Sequence, residues 1–284
     1  MKNKFIAMLF TLVMAVVAVA SIVGCAGDTP FAVIDGEVVG FATYREPFVE
    51  KIHIPASING EKIVGVAANA FDDCNNVQEI VIDEGVTYVA DQAFRGCSNA
   101  SKLSLPNSLQ TIGKSAFADC TSLQTVTLGS GLETIGDFAF DGCKFLREVD
   151  ISSATAIGEG AFYDCTQLTS VNLPSNLVTV GKSAFYNCSN LTQLVFPYTT
   201  TAVGEMAFCG CTSLTNVTFG ASFATLGSYA FSNCTNLQSV SWFQPTLYLY
   251  QSGVMCKAYQ NVNAYSLAQM LKDEGKAYVW KSSN

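Results

Sequence analysis

Eight copies of Ala-Phe-x-x-Cys lie between Ala70 and Cys234, with the phenylalanines at 71, 94, 117, 140, 162, 185, 208 and 231. Each step is 23 residues, except the 22 from Phe140 to Phe162. A fixed period of this size means one supersecondary unit stacked on copies of itself, each too small to bury an apolar face alone. The sequence therefore predicts a repeat solenoid of about eight coils. Function is to be sought on a repetitive surface before it is sought in a pocket.

Aligned on phenylalanine, the copies read Leu-x-x-(Val/Ile/Leu)-x-(Leu/Ile/Phe/Trp), a spacer, then (Ile/Val/Leu)-Gly-x-x-Ala-Phe-x-x-Cys. In Leu168-Thr-Ser-Val171-Asn-Leu173-Pro174 the apolar residues alternate with polar ones at period two, which predicts a short strand with one row inward and one outward. Pro106, Pro174 and Pro197 stand just beyond their strands, where a missing amide hydrogen harms the ladder least. The next inward residue is Ile112, Ile135, Ile157, Val180, Val203 or Leu226, and each precedes a glycine. Ala67 and Ala90 hold the glycine slot in the first two copies, so close backbone approach explains it better than a special dihedral. Eight rings one coil apart predict an aromatic stack through the core. At a strand spacing of about 4.8 Å the coils would extend about 40 Å.

Residues 25–62 read as anchor, linker and an N-terminal capping coil, because Val49-Glu-Lys-Ile52-His-Ile54-Pro55 copies the strand without a preceding Ala-Phe-x-x-Cys. Residues 63–242 are the solenoid and 243–284 a C-terminal cap. Within that cap, Asn261 to Lys272 predicts a short helix ended by Gly275, and Ala277 to Trp280 a returning strand.

From Val49 to Trp242 the combination Leu-x-x-Val-x-Leu-Pro with Ile-Gly-x-x-Ala-Phe-x-x-Cys resembles the leucine-rich repeats of the BspA type, found in bacterial surface proteins and in some surface proteins of parasitic protists. The resemblance implies a leucine-rich-repeat right-handed superhelix with a parallel sheet on one face, and roles in adhesion to host proteins or other cells. The matching residues are scaffold, so no one member's activity carries over. Departures are local: Ala100 replaces the first Leu of one strand, and the turn from Asp150 to Ala156 is one residue short and lacks its proline.

Lys2 and Lys4 precede an apolar run from Phe5 to Val23 that ends Gly24-Cys25. A charged start, an apolar stretch and small residues before a cysteine resemble a bacterial lipoprotein signal over residues 1–24, with Cys25 the lipidated first residue of the mature chain. The alternative is a transmembrane anchor, for which the run is long enough; the cysteine favours lipidation. Ala26, not aspartate, follows Cys25, so the usual inner-membrane retention signal is missing. This predicts export to the cell surface or outer membrane and contact with the membrane through the N-terminal lipid alone. Loss of the two lysines takes the formal charge from −8 to −10. An acidic chain with 13% charged residues lacks the clustered Lys and Arg that a phosphate backbone needs, which excludes nucleic acid as a partner.

Eleven cysteines in an exported chain ordinarily suggest disulfides. Eight of them share one point of successive coils, where equivalent side chains run parallel and do not converge for a bridge, so buried free thiols are favoured. Cys209 and Cys256 lie off that ladder and are the better candidates for reaction or pairing. Zinc is disfavoured because no Cys-x-x-Cys pair exists and the only histidine is His53. No nucleophile motif or phosphate loop appears, so no enzyme, metal or cofactor is expected. Asp72, Asp73, Asp119, Asp141 and Asp164 follow Ala-Phe at turn positions expected to be exposed and read as turn formers or solvated charges; a calcium ladder is the alternative, but its column breaks to Asn187, Gly210 and Asn233. Five Asn-x-Ser/Thr sequons are expected to be unglycosylated in a bacterial chain.

Residues flanking the inward strand positions should form the ligand face. One column holds Glu79, Lys102, Thr125, Glu148, Ser170, Gln193, Asn216 and Ser239; its neighbour includes Thr127, Asp150, Asn172 and Thr218. Charge gathers in the N-terminal half and short neutral polar groups in the C-terminal half. The leading reading is a surface protein that binds a protein or glycan, an adhesin being one form of it. The alternative is a structural or assembly component of the cell envelope.

Overall fold

The computed structural model describes residues 31–42 and 49–241, together with the backbone of the strands Thr246–Gln251, Val254–Gln260 and Ala277–Trp280. Each coil enters on a short strand, turns a corner, returns through a two-residue strand, and closes over the Ala-Phe turn. The entering strands form the first sheet. Six of them, from Lys51–Ile54 through Glu79–Ile82, Lys102–Ser104, Thr125–Thr127 and Glu148–Asp150 to Ser170–Asn172, are parallel neighbours. Gln193–Val195, Asn216–Thr218 and Ser239–Ser241 form a separate three-stranded panel. The sheet expected on one face is thus present but divided between Asn172 and Gln193.

The divide follows a weaker seam. Thr125–Thr127 meets Glu148–Asp150 only at Thr125 and Glu148. The inward Val126, Leu128, Val171 and Leu173 are only partly buried, whereas Leu103, Val149, Leu194 and Val217 are buried. The first of these seams adjoins the coil that is one residue short, whose turn is closed by Asp150 Oδ1 accepting from the Ser152 amide at 3.0 Å.

The returning strands, Gly65–Val66, Tyr88–Val89, Thr111–Ile112, Thr134–Ile135, Ala156–Ile157, Thr179–Val180, Ala202–Val203 and Thr225–Leu226, make a continuous second parallel sheet. The hairpin Phe31–Ile34 and Glu37–Phe41 joins its N-terminal end through Glu37 and Val38. Ala277–Trp280 runs antiparallel to Thr225–Leu226 at the other end, followed by Thr246–Gln251 and Val254–Gln260. The capping helix expected over Asn261–Lys272 lies outside the described residues, as does the apolar run Phe5–Val23. At the N-terminal cap, the Tyr88 hydroxyl donates to the Glu37 carboxylate and its ring lies where a Cβ on Gly65 would be. Desolvation, helped by that carboxylate, pushes Tyr88 up to about 12.

Glycine after the inward residue is explained by space. A Cβ on Gly136 would lie 2.7 Å from the Gly113 carbonyl carbon, and one on Gly227 would lie 2.3 Å from the Glu205 amide nitrogen. Neither has a positive φ. The coils touch backbone to backbone here.

A third ladder runs through the Ala-Phe turns. Alternate amides reach forward to the next coil, as Phe94 N donates to Ala116 O at 2.8 Å and Gly96 N to Ala118 O at 2.8 Å, while those between them close short turns within the coil. That alternation requires positive φ twice per coil. The second such position is Asp73, Gly96, Asp119, Gly142, Asp164, Asn187, Gly210 and Asn233. Only Asp, Asn and Gly occur there, the three residues that visit the left-handed region routinely. The aspartates of this column, with the Asn and Gly that interrupt it, are therefore turn formers.

The phenylalanines stack as expected. From Phe71 to Phe231 successive ring centroids are 5.1–5.4 Å apart and the planes within 13° of parallel. All eight rings are buried. Phe31 and Phe41 close the stack edge-on against Phe71, and Phe219 meets Phe231 at 83° at the other end. Beside the stack each ladder thiol donates to the phenylalanine carbonyl of the coil before it, from Cys97 on Phe71 at 3.3 Å to Cys234 on Phe208 at 3.2 Å. None of the nine described cysteines is in a disulfide.

Candidate ligand-binding face

Strand alternation sends the inward residues to the core and leaves two outward columns on the first sheet. Lys102, Thr125, Thr127, Glu148, Asp150, Ser170, Asn172, Gln193 and Asn216 are exposed there, and Glu79, Thr218 and Ser239 are half-buried. Register brings Glu79, Lys102, Thr125, Glu148 and Ser170 side by side on the six-stranded panel. Gln193, Asn216 and Ser239 stand together on the three-stranded one. Asp150 opposes Asn172, and Thr218 lies between Val195 and Ser241. Two residues are partly occupied: Glu79 pairs with Lys51 at 3.4 Å, and Asn216 donates to Thr215 Oγ1 at 2.9 Å.

The electrostatics divide one strand before the sheet divides, since Ser170–Asn172 is already uncharged. From Cys165 to Ser241 the only charged residues are Lys182 and Glu205, and they pair with each other at 3.6 Å. Fixed charge on the first sheet is confined to the six-stranded panel. The neutral region instead exposes apolar surface: Val195 is 66% exposed, Tyr198 71% and Val178 50%. Val195 stands in the second outward column, whereas Tyr198 and Val178 were not expected from sequence. Tyr198 could have been found by comparing columns, since it follows a proline at a corner where other coils carry Asn107 or Ser175.

On the turn edge, Asp72 takes a bidentate pair from Arg95, with Nε at 2.8 Å and Nη2 at 2.6 Å. Asp141 is half-buried, and desolvation together with Asp119 and Asp164 pushes its carboxyl up to about 6. Tyr163 and Tyr186 stack at 4.6 Å, so their facing surfaces are already used. Cys209, expected as a reactive or paired thiol, is unbridged and 7% exposed, and burial raises its pKa. Cys256 and Cys25 fall where no side chain is described. His53 pairs with Asp83 at 2.8 Å on the exposed cap strand. Among the described residues no group of three His, Cys, Asp or Glu could hold a metal ion, and no helix is long and apolar enough to cross a membrane.

The family model for the BspA type leucine rich repeat region matches six copies, over residues 62–192 and 155–268. The chain belongs to the BspA-type leucine-rich repeat family. Its BspA-type coils are similar to a leucine-rich repeat protein from Bacteroides ovatus, at 27% identity and a TM-score of 0.67 over 78% of this chain. The match spans 65% of the length of that protein. A leucine-rich repeat protein of T. pallidum shares the fold, at 21% identity and a TM-score of 0.55, over 75% of this chain and 90% of the other. No protein of curated function matches the sequence. The residues that define the BspA-type repeat here are core and turn residues, and none belongs to the two outward columns.

Proposed function

We propose that this chain is an exported, lipid-anchored surface protein that binds a protein or glycan through the outward columns of its first sheet. The observation that carries the reading is where the copies differ. Inward positions repeat as apolar residues, and the second left-handed turn position repeats as Asp, Asn or Gly. The first outward column runs Glu, Lys, Thr, Glu, Ser, Gln, Asn, Ser, and the second Val, Ser, Thr, Asp, Asn, Val, Thr, Ser. Scaffold demands are met without them, so a ligand is the natural use of their variety, with weak contacts summing along the coils. The lipobox reading of Gly24-Cys25 supports the anchor, because several acyl chains on one residue hold a protein that a single chain would release.

Two measurements test this. Expressed in a bacterium that processes lipoproteins, the full chain should incorporate labelled palmitate and sediment with membranes, and Cys25→Ala should do neither. The mature chain, immobilised, should retain a matrix protein or glycan, with retention weakened by combined substitution of Glu148 and Gln193. Retention that survives replacement of both panels' outward columns would overturn the assignment of the face.

A further inference from the structure

We propose that the three-stranded panel, with Tyr198 at its corner, is a subsite for an uncharged polysaccharide. The inference rests on the reading of the first sheet as the binding face and names which part binds, and what.

Charge is the first argument. Between Cys165 and Ser241 Lys182 and Glu205 neutralise each other at 3.6 Å, on a chain whose formal charge is −8. An anionic polymer finds no unpaired cation there and a basic peptide no unpaired carboxylate. A neutral polymer loses nothing.

Shape is the second. Tyr198 is 71% exposed, and the equivalent corner residues of the adjacent coils are the short Ser175 and Ala221. The register is held by Ser222 N donating to Tyr198 O at 3.2 Å and by Thr199 Oγ1 donating to Ser175 O at 3.0 Å. Its ring faces are therefore not consumed by a stacked neighbour, unlike those of Tyr163 and Tyr186. An aromatic face takes the C–H side of a pyranose while its hydroxyl takes a polar group. Val195, three residues earlier and 66% exposed, extends that apolar platform.

Hydrogen bonding is the third. Gln193 and Asn216 sit on neighbouring strands, and an amide offers both donors and an acceptor, as vicinal sugar hydroxyls require. Strands about 4.8 Å apart repeat at nearly the advance of one sugar along an extended chain, so successive coils can read successive residues.

The test is affinity electrophoresis of the mature chain through gels holding dextran, mannan or a soluble β-glucan, with alginate as the anionic control. At least one neutral polymer should retard the chain equally at low salt and at about 0.5 M salt, where exposed charge pairs are screened. Tyr198→Ala should weaken retardation about tenfold or more, a loss of about 1.4 kcal/mol, while Tyr198→Phe keeps most of it. The variant Lys114→Ala, on the exposed Ala-Phe turn and outside both outward columns, should behave as the parent. No retardation by any neutral polymer, or none lost in Tyr198→Ala with its melting temperature unchanged, overturns the subsite. If the immobilised chain still retains a matrix protein in that case, the surface-binding reading stands and the ligand is protein; if it retains nothing, both fall.

Discussion

The ring of Phe138 fills the space that a side chain on Gly160 would need. Phe138 Cε1 lies 2.3 Å from the position of a Cβ at Gly160, one coil further on, and both residues are left-handed, at φ of 56° and 58°. Gly160→Ala must displace the ring and also place a Cβ at positive φ. We expect a loss of about 2–5 kcal/mol, from overpacking of about 1–3 and a left-handed cost of about 1–2. In the Phe138→Ala background the same change should cost only the backbone part, and urea midpoints of the four proteins measure that coupling. Equal losses in both backgrounds would contradict the packing of these two residues.

The ladder thiols should be inert in the folded chain. Cys143 and Cys165 are buried, each donates to a phenylalanine carbonyl, and desolvation raises both pKa values, so the thiolate that alkylating agents require is scarce. Iodoacetamide near pH 8 should leave Cys97, Cys120, Cys143, Cys165, Cys188, Cys211 and Cys234 unmodified, and should modify all of them in urea, as read by peptide mass spectrometry. Cys143→Ala should cost about 1–3 kcal/mol, because it leaves the Phe117 carbonyl without its sulfur donor and opens a small void.

Much of this architecture was legible in the sequence because the repeat multiplies every signal. One period-two strand such as Lys102–Ser104 is ambiguous alone, but nine in register are not, and the same holds for the phenylalanine stack and the parallel thiols. What stayed hidden depends on relations between coils. The sheet break after Asn172 falls at a step of full length, and no local pattern around Gln193 reports it. The left-handed turn column was visible as Asp, Asn and Gly, yet its meaning required the alternating amides of the Ala-Phe turn. Of the candidate face, sequence placed the outward columns but missed Tyr198, whose exposure comes from short neighbours on either side.

Asp141 should set a pH dependence. Its folded pKa, about 6, lies above the ordinary aspartate value near 3.9, so the folded state binds this proton more tightly than the unfolded one. The associated stability is complete below about pH 4 and is lost as pH rises through 6. Asp141→Asn should therefore stabilise the chain at pH 7.5 and lose that advantage near pH 4. The full shift would correspond to about 3 kcal/mol. Screening at this half-exposed group, and partial compensation by Lys144, reduce the expected gain to about 1 kcal/mol. Melting temperatures of both proteins across that range check the sign, and a gain that grows toward pH 4 would contradict it.

The broken sheet makes a last prediction about local stability. Between Ser170–Asn172 and Gln193–Val195 the two panels of the first sheet are not paired, although the second sheet is paired there from Thr179 to Ala202 and the Phe185 ring still stacks on Phe162. Amides whose only protection is a neighbouring strand open at lower free energy than those within a continuous ladder. Peptides covering Ser170–Asn172 and Gln193–Val195 should then exchange hydrogen faster than those covering Asn216–Thr218, which has a paired strand on each side. Because the second sheet and the aromatic stack span the same point, the faster exchange should be confined to the first-sheet strands, and peptides over Thr179–Val180 and Ala202–Val203 should stay protected. Uniform exchange along the first sheet would mean that the panels are joined in solution, and the neutral and charged halves of the face would then act as one surface.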